Sequence, residues 1–136
     1  MNRRNNRESG AAAVEFALVV PILLALIMGI VEFGFAYNYR TQLNNAAMAS
    51  ARHYSLHRNI GQAQDAARGV VTLPAGTPID IVVRDPSNVV VTTGCPTIES
   101  SQKNTVTVTI SAVKPAITGM FGNSFNIGAR ATAVCM

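Results

Sequence analysis

Glu15 stands inside an apolar run, five residues after Gly10. The run reads Ala11-Ala12-Ala13-Val14-Glu15-Phe16-Ala17-Leu18-Val19-Val20-Pro21 and continues through Ile22-Leu23-Leu24-Ala25-Leu26-Ile27-Met28-Gly29-Ile30-Val31. A carboxylate within a membrane segment costs ~2.5–3.5 kcal/mol on insertion scales, so such a residue is expected to have a partner and a task. The chemistry that fits is ion pairing. A positive group brought by a docking neighbour offsets the desolvation only inside an assembly. Glu15 is therefore expected to register one molecule against the next. Glu32, near the far end of the run, is expected to reach the headgroups, or to pair with Arg40 or a second subunit.

Other reactive side chains give weaker signals. His53 and His57 are four residues apart and could face one metal ion on a helix. No Asp, Glu or Cys near them in sequence offers a third ligand, so a solvated helix face is expected and no metal. Gly-x-Ser-x-Gly and phosphate-loop motifs are absent from the chain, as is any pair of carboxylates at a catalytic spacing. Asp65, Asp80, Asp85 and Glu99 fall among turns and exposed faces. The chain is read as having no catalytic residue and no cofactor. Cys95 and Cys135 are its two cysteines. Outside the cell, a lone pair in a small domain is expected to be a disulfide; in a reducing compartment the two would be free buried thiols.

The elements that hold these residues follow from the pattern. From Ala11 to Ala36 only Glu15 and Glu32 interrupt the apolar and small residues. As a helix this stretch is about 39 Å long, enough to cross a hydrocarbon core of ~30 Å. Arg3, Arg4 and Arg7 precede it against Glu8, which predicts residues 1–10 inside and the carboxyl-terminal part outside. The remaining charge is nearly balanced, and a net charge of +4 makes no case for a nucleic-acid partner. Helical spacing continues past Ala36, with Leu43, Ala47, Ala51 and Tyr54 on one stripe, to about Leu56. Pro21 is expected to kink or loosen the helix. A short helix is expected over Gln62–Arg68, with Ala63, Ala66 and Ala67 inward and Gly69 at its end.

From Ile79 the period becomes two. Ile79–Arg84 reads as a strand, Asp85–Asn88 as a turn and Val89–Thr93 as the return strand of a hairpin. Thr105–Val113 alternates, placing Val106, Val108, Ile110 and Ala112 on a core. Pro115–Ser124 reads as a crossover loop with a helical turn around Ala116–Phe121, and Phe125–Cys135 as a last strand. The fold class is α+β: a long amino-terminal helix, transmembrane and then amphipathic, packed against a small antiparallel sheet of about four strands. A Cys95–Cys135 bond would close a loop of about 40 residues and stabilise the head by ~3–4 kcal/mol on the entropy model.

The basic leader, the small residue Gly10, the acid at the fifth position after it and the apolar helix resemble the class III signal of type IV pilins and pseudopilins. The segment Gly10–Pro21, followed by Gly29-Ile30-Val31-Glu32-Phe33-Gly34 and by Ala47-Met48-Ala49-Ser50-Ala51-Arg52, resembles TadE-like proteins, minor pilins or pseudopilins of the tight-adherence (Tad, or Flp-type) pilus. The resemblance is strong over residues 9–54. It implies a pilin-like fold, cleavage between Gly10 and Ala11 by a prepilin peptidase, and assembly through Ala11, Glu15, Phe16, Pro21 and Glu32. It also implies other pilin subunits, a Tad assembly platform and the lipid bilayer as partners. The expected organisation is a cleaved leader at 1–10, a transmembrane or filament-core helix at 11–36, its continuation at 37–60 and a head at 61–136. The expected location is the bacterial cytoplasmic membrane and then the pilus. Two rivals stay open: an anchored binding module that never polymerises, and a secreted domain cut after Ala36.

Overall fold

The computed structural model describes residues 5–73, 77–95, 104–117, 119 and 122–135, with side chains from residue 10 onward. The chain divides into two compact units, residues 1–35 and 36–136. Helix α1 runs over Asn5–His57 and is assigned as helix straight through Pro21. It begins within the polar leader, ahead of the apolar run. Helix α2 spans Ile60–Val70, two residues longer at each end than the alanine spacing suggested. Strands β1 (Ile79–Arg84), β2 (Thr105–Pro115) and β3 (Ser124–Val134) follow.

The second unit is a two-layer α+β packing. Its helical layer is amphipathic because Leu43, Ala46, Ala47, Ala51 and Tyr54 recur at helical spacing, and all five are buried. Most are alanines, which let the helix lie close to the sheet. Val106, Val108, Ile110 and Ala112 form the facing surface, every second residue of β2, as a half-buried strand requires. Ala63 and Ala67 of α2 and Ile127 and Ala129 of β3 complete the core, and Ala66 is half-buried at its margin.

Two short links fix the helix ends. Arg58 takes a left-handed φ of 54° and its N–H donates to the Tyr54 carbonyl at 2.8 Å, which stops α1. Asn59 then caps α2, its Oδ1 accepting from Gly61 N at 2.8 Å and Gln62 N at 3.3 Å. Gln42 Oε1 accepts from Thr72 N at 3.0 Å and ties the connector after α2 back onto α1.

The sheet has three strands in the order β1-β2-β3, antiparallel throughout, not four. The missing strand is Val89–Thr93. Its chain makes one bridge, Arg84↔Val90, and then leaves the sheet, because Thr93 bridges Asn59 and the Gly94 N–H donates to the Arg58 carbonyl at 3.2 Å. Cys95, bonded to Cys135 with a Cα–Cα distance of 5.9 Å, holds it there. The β2–β3 connection also differs from the expected crossover: the two strands are neighbours, so it is a hairpin link. The helical turn expected around Ala116–Phe121 lies partly outside the described residues.

Candidate functional site

The candidate site is the uncovered surface of α1 in the first unit. Gly10, Ala11, Glu15, Phe16 and Pro21 are all exposed. Ala11 and Glu15 are four residues apart in one helix and so lie on one face, a turn from each other. Phe16 is 71% exposed, about 100° further round. Leu18, Val19, Ile22 and Leu24 are each more than half exposed and point to different sides of the helix, so this part is apolar all round and the described residues leave it open. Such a surface in a single helix belongs against lipid or against other helices. Among the described residues α1 is the helix long and apolar enough to cross a membrane, with a mean hydropathy of 2.7 in its most apolar stretch.

Glu32 is 3% exposed, and buried carboxylates are held by polar partners. Arg40 lines an open cavity with Asn44, Thr109 and Gly128–Arg130.

The predicted disulfide is present and couples the end of β3 to the segment bridging the end of α1. His53 and His57 are both exposed, with rings stacked at 5.1 Å and 15°. Two features escaped the sequence reading. The hydroxyl of Tyr54, a residue already on the inward stripe, donates to the Gly94 carbonyl at 2.8 Å, a polar contact that joins helix to loop across 40 residues. Lys114 is buried, with its Nζ 4.5 Å from the centre of the Tyr39 ring. The signal for Lys114 was available: it continues the even-numbered face of Val106, Val108, Ile110 and Ala112.

Searches of curated proteins and of solved structures with this chain gave no match. The family model described as TadE-like protein matches residues 10–52, the stretch that carries Gly10, Glu15, the apolar run and the first part of the buried stripe, and this amino-terminal part of the chain is TadE-like.

Proposed function

We propose that the chain is a minor pilin or pseudopilin of a Tad-type pilus, a structural subunit and not an enzyme. The observation that carries this is the TadE-like match over residues 10–52 on a helix whose apolar surface its own chain leaves open. The subunit inserts with residues 1–10 inside and the head outside, and prepilin peptidase cuts between Gly10 and Ala11. Gly10 lies within α1, so the cut needs a local opening of the helix; glycine lowers that cost by about 1 kcal/mol relative to alanine. The new amine on Ala11 then joins Glu15 at the membrane surface. When the assembly platform lifts the subunit, a neighbour's amine neutralises Glu15, and the apolar helix from Leu18 to Val31 packs among other pilin helices. Surface adhesion is the role that such a filament serves.

Mass spectrometry of the native amino terminus tests the reading. A chain beginning at Ala11 is expected. A chain beginning at Met1 favours a permanent anchor, and one beginning at Tyr37 a secreted domain. Glu15→Ala is expected to insert and be cut normally yet to be lost from pili, as read by immunoblot of sheared filaments. Wild-type amounts of that variant in the filament fraction would overturn the registering role.

A further inference from the structure

The two edges of the sheet present different groups. At one end of the β2–β3 ladder the Cys135 N–H donates to the Asn104 carbonyl at 2.6 Å, and at the other the Ala116 N–H donates to the Asn123 carbonyl at 3.0 Å. Hydrogen-bonded pairs alternate with non-bonded pairs in an antiparallel ladder. The register runs unbroken from Thr105↔Val134 to Pro115↔Ser124. The odd-numbered residues of β3 therefore bond β2. Asn126, Gly128, Arg130, Thr132 and Val134 aim their backbone N–H and C=O groups out of the sheet, and no backbone hydrogen bond of the described residues uses them. The β1 edge is treated otherwise. The Val91 N–H donates to the Val83 carbonyl and the Asp85 N–H to the Val89 carbonyl, both at 2.9 Å, so the return segment covers its far half.

Among the described residues this edge of eleven residues is open, and such an edge is a template for another strand. Beside it, Arg40 and Asn44 of α1 and Gly128, Ala129 and Arg130 of β3 line a cavity of about 390 Å3. Both arginines are exposed, and among the described residues neither forms an ion pair. We infer that the β3 edge receives an extended segment of a different polypeptide, alternating apolar and polar residues, with an acidic side chain set against Arg130 and Arg40. The alternation follows from the edge itself: Ile127 and Ala129 face the buried side while Asn126, Gly128 and Arg130 face out, and an added strand continues both faces.

A second copy of this chain fits poorly. β3 carries Arg130 and no acidic residue, so pairing with its own copy would bring arginine and no carboxylate to the edge. The β1 edge of a copy is half covered by the return segment.

The test uses the full chain in detergent micelles and amide hydrogen exchange resolved by residue. The probe is a nine-residue peptide of alternating valine and threonine with a central glutamate and blocked ends. In the free protein the amides of Asn126, Gly128, Arg130 and Thr132 are expected to exchange far faster than those of Ile127, Ala129 and Ala131, and the probe is expected to slow them about tenfold or more. Thr132→Pro removes an N–H that β2 does not use, so the variant is expected to fold and to bind the probe about tenfold more weakly. Arg40→Glu with Arg130→Glu is expected to switch preference to a probe carrying lysine in place of glutamate. The inference is overturned if the outward amides are already as slow as the inward ones in dilute protein, or if millimolar probe leaves them unchanged. Slowing that grows with protein concentration without probe overturns it in favour of self-pairing. Exchange is read on the uncut chain, so failure here leaves cleavage after Gly10 standing, and an uncut native chain leaves the edge result standing.

Discussion

In the first part of α1, Phe16, Leu18, Ile22 and Ile30 leave 64–71% of their surfaces open; in its last part, Leu43, Ala46, Ala47 and Tyr54 leave none. Both stretches are helical, and both are rich in apolar residues. The difference lies in distribution. The early residues are large and apolar on every side, which suits a surrounding of lipid or other helices. The later ones put small residues on one stripe and polar ones such as Asn44, Asn45 and Arg52 on the other, which suits one sheet on one side and water on the rest. Side-chain size and placement, more than overall hydropathy, decide which part is folded by its own chain and which awaits a neighbour.

The sharpest way to break that comparison is one substitution made in both places. Leu43→Asp puts an unpaired carboxylate at a fully buried site and is expected to unfold the head, at a cost above ~4 kcal/mol, read by near-ultraviolet circular dichroism in micelles. Leu24→Asp, at a position 54% exposed, is expected to leave the head's melt unchanged and instead to weaken membrane retention by ~2.5–3.5 kcal/mol on insertion scales. Equal effects on the head from both would erase the distinction.

Tyr54→Ala removes the largest fully buried side chain and its bond to Gly94, and should cost ~3–5 kcal/mol in chemical denaturation. Cys135→Ser should cost ~2–4 kcal/mol, with the same loss in wild type after reduction. The smallest effect carries the opposite sign. Ser50 Oγ is buried with no hydrogen-bond partner among the described residues, so Ser50→Ala is expected to be neutral or to stabilise by up to ~1 kcal/mol. A clear loss of stability in Ser50→Ala would mean that the hydroxyl has a partner in solution.

Much of this was legible because period and composition report directly on burial. The stripe Leu43–Ala47–Ala51–Tyr54 and the alternation of Thr105–Val113 each answer to one local rule, and both match the buried faces. The failures share a cause as well. Val89–Thr93 has the composition of a strand, but its course is set by contacts far away in sequence: Thr93 with Asn59, Gly94 with Arg58 and Tyr54, and Cys95 with Cys135. No local pattern encodes such ties. The processing and assembly residues are what the resemblance of Gly10–Pro21 to TadE-like proteins implies, and they stand as a proposal; the match over residues 10–52 concerns that same resemblance and not their roles.

The covalent link at Cys135 has a mechanical consequence. It joins the end of the terminal strand to Cys95, next to the residues that grip the foot of the long helix. Traction on the outer strand by a bound neighbour would otherwise peel it from β2 one backbone contact at a time. With the sulfur clasp closed, load at that end passes through a covalent bond toward the shaft, and the strand must be sheared rather than unzipped from its tail.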